Sequence, residues 1–172
     1  MYISGNQIKD IEPLFNLLNL KTLVIDANPL VSIEGINKLK KLEVLNLSGC
    51  KIRTGFKALS GLDNLVSLDV TANNISNFEP FVSLNKLTYL NLTDNNLKSL
   101  SGIEKLTALE QLYLTGNNIK DITPLLGLKS LKTIYLNKLS EADLKKLKKA
   151  LPNCKIDDSA YSNKNVNQEA AN

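Results

Sequence analysis

Aliphatic residues recur on a fixed frame through most of this chain. Starting at Leu20, the frame reads Leu20, Leu23, Ile25, Asn28, Leu30, Ile33, Ile36 and Leu39. It returns as Leu42, Leu45, Leu47, Cys50 and Ile52, then as Leu65, Leu68, Val70, Asn73 and Ile75. It returns again as Leu87, Leu90, Leu92, Asn95 and Leu97, and as Leu109, Leu112, Leu114, Asn117 and Ile119. Partial units flank these, with Ile3, Asn6 and Ile8 on one side and Leu131, Ile134 and Leu136 on the other. The period is 22 residues, with one unit of 23 starting at Leu42. A unit that short cannot enclose a core alone, so successive units must stack and share one.

The spacing also dictates the shape of each unit. The Leu-x-Leu pair has period 2, so two side chains point inward and the one between points out, as in a strand. The Asn slot must pair its amide when buried. Asn6, Asn28, Asn73, Asn95 and Asn117 are therefore expected to bond backbone groups of their own and the adjacent coil, with Cys50 taking one rung of that structural ladder. Beyond the slot, apolar residues recur every three positions, which suits short 3₁₀ or irregular turns rather than full helices. Pro13, Gly35, Pro80, Gly102 and Pro124 fall in that arm.

This pattern, LxxLxLxxNxL, resembles the leucine-rich repeat. The resemblance covers residues 1–137. It implies an α/β solenoid: a curved right-handed coil with a parallel concave sheet, a 3₁₀ or irregular convex side and a helical C-terminal cap. The expected organisation is a solenoid over 1–138 of about six units, a capping helix and strand over 139–156, and a disordered tail over 157–172.

The cap is written in the residues after the last full unit. Ser140 followed by Glu141 and Asp143 reads as a helix start. Leu144, Leu147 and Leu151 share one helical face, with Lys145, Lys146, Lys148 and Lys149 opposite. Cys154-Lys155-Ile156 reads as one more strand. At the other end the frame begins mid-unit, so Ile3, Ile8, Ile11, Leu14 and Leu17 are expected to expose an open core edge. Missing upstream sequence or end-to-end self-association through that uncapped unit would cover it; the third alternative is an atypical short first unit that stays exposed in solution. Met1-Tyr2-Ile3-Ser4-Gly5 does not read as a signal peptide.

Composition removes whole classes of chemistry. The chain has no histidine, which excludes Ser/His/Asp and Cys/His nucleophile pairs. Its two cysteines, Cys50 and Cys154, lie several rungs apart and form neither a metal knuckle nor a disulfide framework. No apolar run reaches membrane-spanning length, so no membrane insertion is expected. Net charge is +4, yet Arg53 is the only arginine. No cofactor, no metal and no nucleic-acid partner are expected.

The strand register assigns the outward residues. The central column of the sheet face is Tyr2, Val24, Asn46, Asp69, Asn91, Tyr113 and Tyr135. The column before it holds Thr22, Val44, Ser67, Tyr89, Gln111 and Thr133. Charges on this face are Asp26, Glu43, Asp69 and Glu110 against Lys21 and Lys132, while most lysines sit on the outer side. That argues against a basic groove. Asp26 and Asp69 stand two strands apart, about 10 Å, on a face that excludes no water, which suits no general acid–base pair. Tyr89, Tyr113 and Tyr135 cluster in the last strands, and tyrosine is enriched at interface hot spots. With Asn91, Asp69, Gln111, Thr133 and Asn46 they form the expected partner-binding set.

The units DIEPLFNLLNLKTLVIDANPL and DITPLLGLKSLKTIYL resemble those of bacterial internalins. The units SIEGINKLKKLEVLNLSG and SLSGIEKLTALEQLYLTGNNI are also similar to the intracellular phosphatase-regulator class of repeats. The internalin resemblance implies a non-enzymatic module that binds a protein partner on its concave face. The alternatives are an intracellular scaffold or phosphatase-regulator-like subunit, or an accessory binding domain of a larger enzyme.

Overall fold

A computed structural model describes residues 1–159. Seven strands form one open parallel sheet in strict sequence order. They are β1 (Thr22–Val24), β2 (Val44–Asn46), β3 (Ser67–Asp69), β4 (Tyr89–Asn91), β5 (Gln111–Tyr113), β6 (Thr133–Tyr135) and β7 (Lys155–Asp157). Neighbours pair in register at the repeat spacing, for example Leu23 with Leu45 and Leu45 with Leu68. Each strand has three residues, and from β1 to β6 the middle one is an aliphatic side chain sealed from solvent. The core is a continuous column of leucine and isoleucine, with Phe81 the largest fully buried side chain.

The chain returns from strand to strand through 3₁₀ turns, such as Glu12–Asn16, Ile36–Lys38 and Ile103–Lys105. Short polar side chains open most of these arms. Asp10, Asn77 and Asp121 accept the backbone N–H two residues ahead, and the Ser32 and Ser99 hydroxyls do the same. Such local bonds turn the backbone away from a strand ladder. Proline follows in the first turn at 13, 80 and 124, where its missing N–H costs nothing.

The Asn slots sit inside this coil. Asn28, Asn73, Asn95 and Asn117 are buried. Each donates to strand-end carbonyls of its own and the preceding coil, as Asn95 does to Leu92 and Val70 at 3.0 Å each. Each also accepts a backbone N–H from the coil before it, as Asn117 does from Leu97 at 3.0 Å. Cys50 donates its thiol to the Ile25 carbonyl at 3.3 Å. Asn6 differs. It is exposed, and among the described residues it bonds only Ile3 and Ser4 of its own turn. Among the described residues no coil stands before it to receive a bond.

The residue before every slot carries a positive φ: Gly5, Ala27, Gly49, Ala72, Asp94 and Gly116. The sharp exit from the strand requires this left-handed step, so it repeats even where the residue is not glycine.

Helix α1 (Glu141–Ala150) covers the last unit. The Ser140 hydroxyl accepts the Asp143 N–H at 3.1 Å, capping its start. Leu147 and Leu151 are buried against the solenoid. Strand β7 includes Asp157, and Asp158 accepts the Leu139 N–H, so ordered structure extends past the expected boundary at 156. Residues 160–172 of the expected tail lie outside the described residues. At the first coil the expected open edge is only partial: Leu17 is 39% exposed, since among the described residues that coil has a neighbour on one side only, but Ile3, Ile8 and Leu14 are partly buried and Ile11 is fully buried against the next coil's core.

Candidate functional site: the open face of the sheet

The face of the sheet opposite the core is built by the first and third residue of each strand. Register pairs Tyr2 with Val24, then Val24, Asn46, Asp69, Asn91, Tyr113, Tyr135 and Asp157 in one line. A second line runs through Thr22, Val44, Ser67, Tyr89, Gln111, Thr133 and Lys155. The sequence-derived residues Tyr89, Tyr113, Tyr135, Asn91, Asp69, Gln111, Thr133 and Asn46 all fall on this face, with Asn46 between Val24 and Asp69 in the first line.

The three tyrosines touch in series. Tyr89 and Tyr113 have ring centroids 5.5 Å apart at 46°, and Tyr113 stacks on Tyr135 at 4.6 Å and 10°. In-register residues of parallel strands stand about 4.8 Å apart, stacking distance for the Tyr113 and Tyr135 rings, whereas Tyr89 pairs with Gln111 and meets Tyr113 diagonally from the second line. Burial pushes the Tyr89 hydroxyl above its usual pKa, and nearby Asp69 adds to that. Burial and Tyr135 do the same to Tyr113.

The polar residues of the line do something the sequence reading missed. Asn46, Asp69 and Asn91 each turn one side-chain oxygen back onto the N–H two residues ahead, Ser48, Thr71 and Thr93, at 2.9, 2.9 and 3.0 Å. These bonds hold the strand exits. What remains for a partner is the outer atom of each group, and Asn91 Nδ2 already donates to Asp69 Oδ2 at 3.2 Å. Asp157 makes the same turn with Ser159 at 3.1 Å. Asp157 and Ser159 thus lie beyond the expected boundary at 156, in the stretch expected to be tail. Counting one more period from Tyr135 would have put Asp157 on the face.

The acidic and basic side chains of the flanking positions are matched across strands. Lys21 meets Glu43 at 2.8 Å and Lys132 meets Glu110 at 2.7 Å. Both pairs are exposed and contribute little to stability. No helix among the described residues is long and apolar enough to cross a membrane. Both cysteines are free.

A family model described as leucine rich repeat matches residues 18–75 and 63–119, and a two-copy leucine rich repeat model matches 107–153. The chain belongs to the leucine-rich repeat family. Among solved structures, this leucine-rich repeat chain is similar to an internalin (inlF) of Listeria monocytogenes, with 33% identity and a TM-score of 0.78 over 85% of the chain. It is similar to internalin C2 of the same organism, with 29% identity and a TM-score of 0.79 over 88% of the chain. A leucine-rich repeat protein of Leptospira interrogans gives 28% identity and a TM-score of 0.79, also over 88%. The chain spans 45%, 66% and 41% of the lengths of those three proteins. No curated relative matches it by sequence. Family and neighbours identify a leucine-rich repeat solenoid that resembles those of internalins.

Proposed function

We propose that this leucine-rich repeat protein binds a protein partner on its open sheet face, centred on Tyr89, Tyr113 and Tyr135. The observation that carries the reading is the ring series itself. Three tyrosines in contact present a stiff amphipathic surface at small entropic cost, the kind of surface that supplies interface hot spots. Thr133 and Gln111 flank it with hydrogen-bonding groups, and Asp69 and Asn91 border it. The likeness to internalins supports binding on this side of the coil.

The test is affinity capture with the wild-type chain, a Tyr89→Ala/Tyr113→Ala/Tyr135→Ala variant and an outer-face Lys105→Ala control. A specific partner retained by wild type and control should be lost by the triple variant, with affinity lower by about a hundredfold or more. Thermal melts should first establish that the triple variant is folded. Equal capture by all three proteins would refute the reading.

A further inference from the structure

The tyrosine ladder stops one rung short of the sheet's last strand. Tyr135 has one ring face against Tyr113, stacked at 4.6 Å. Its other face looks toward β7, where the in-register residue is Asp157 rather than a further ring. A side chain that short leaves the rung unfilled. An open cavity of about 520 Å³ runs along the strand exits to this rung, lined by Thr93, Tyr113, Thr115, Tyr135, Asp157 and Ser159.

The carboxylate under that space is fixed in place. Asp157 Oδ1 accepts the Ser159 N–H at 3.1 Å and the Ser159 hydroxyl at 2.6 Å. These bonds, with the nearby charge of Lys155, hold its carboxyl below the ordinary range, so it is ionised at neutral pH. Asp157 forms no ion pair among the described residues, whereas the lysines at 21 and 132 are already matched to glutamates.

We propose that the cavity beyond Tyr135 is a socket for a guanidinium group, through which the partner docks an arginine side chain. The inference rests on the sheet-face reading above and specifies its chemistry. A guanidinium is a flat cation. Stacked on the free face of Tyr135, it continues the ladder at ring spacing and gains cation–π attraction. Its edge then offers N–H groups to Asp157, in the fork geometry that suits a carboxylate. An ammonium has no plane to stack. A neutral sugar ring stacks but leaves the aspartate charge without a counterpart.

The probe is N-acetyl-arginine amide, titrated into the full chain and followed by NMR at the Asp157 and Ser159 amides and the Tyr135 ring. The comparison ligands are the neutral citrulline amide and the lysine amide. Saturable shifts with the arginine compound, weaker ones with lysine and none with citrulline are expected. Asp157→Asn keeps an oxygen for Ser159 and removes the charge, and it should weaken binding by about fivefold or more. Lys155→Ala removes the competing cation and should strengthen it. Absence of saturable shifts at the socket, or equal binding of citrulline or lysine amide, would overturn the proposal. If no arginine binding occurs but the triple tyrosine variant still loses its partner, the socket fails while the sheet-face reading survives. If arginine amide binds and partner capture ignores the tyrosines, the wider reading is the one that fails.

Discussion

The side-chain oxygen of Asn95 accepts the backbone N–H of Asn73 at 3.2 Å, tying one slot of the ladder directly to the next. The same oxygen takes the Ile75 N–H at 2.8 Å, and the amide nitrogen reaches Val70, Leu92 and Thr93. Asn95→Ala strands these buried groups without partners, and about 2–4 kcal/mol of stability should go with them. Asn6 makes similar bonds at an exposed site, and Asn6→Ala should stay within about 0.5 kcal/mol of wild type. Urea unfolding of the two variants measures the contrast; equal losses would show that burial of the slot is not what makes it matter.

Ala72 and Gly116 hold equivalent left-handed positions two units apart, at φ 55° and 73°. Ala72→Gly relieves the Cβ clash of that conformation, an expected gain of up to about 1 kcal/mol. The reverse change depends on surroundings. A Cβ at Gly49 meets nothing within 4 Å, whereas one at Gly116 would press on the Asp94 backbone, with its N and Cα both at 2.9 Å. Gly116→Ala should therefore melt lower than Gly49→Ala, by an added cost of about 1–3 kcal/mol. Equal melting temperatures would contradict the close approach.

Tyr89 and Tyr113 both ionise above the ordinary tyrosine value of 10.0, chiefly because burial disfavours the phenolate. The folded pKa is the higher one, so the linked stabilisation is complete below the unfolded pKa near 10 and fades as pH rises through the folded value. Absorbance titration of phenolate should show a late-titrating fraction that Tyr89→Phe reduces. A single unshifted tyrosine transition would refute it.

Ser140 caps α1, and Leu147 is wholly buried beneath it. Ser140→Ala should cost about 1 kcal/mol, and Leu147→Ala about 2–5 kcal/mol. Because each coil is held only by its neighbours, the loss should appear first as faster amide exchange in β6 and β7, with β2 and β3 protected longer. Uniform loss of protection along the chain would argue for all-or-none unfolding instead.

Much of this fold was legible because burial in a stacked coil is strictly periodic. Leu23, Leu45, Leu68, Leu90 and Leu112 announce their strands by spacing alone, and the column positions of Tyr113 and Tyr135 follow by counting. The face beyond Tyr135 was not legible in the same way. The aliphatic pattern thins after Leu136, so the polar run at Asp157–Ser159 read as tail, although the register carries Asp157 onto the sheet.

Sequence by itself determined the coil, its parallel sheet and the set of side chains facing away from the core, since each follows from where apolar groups must hide. Tertiary structure alone decided how those outward groups are committed. Asn46, Asp69 and Asn91 bend back to hold their own strand exits, the tyrosines meet ring to ring, and Asp157 stands where a further ring would be. Those outcomes depend on backbone directions and on neighbours a full turn of the coil away, which a pattern of apolar spacing does not encode.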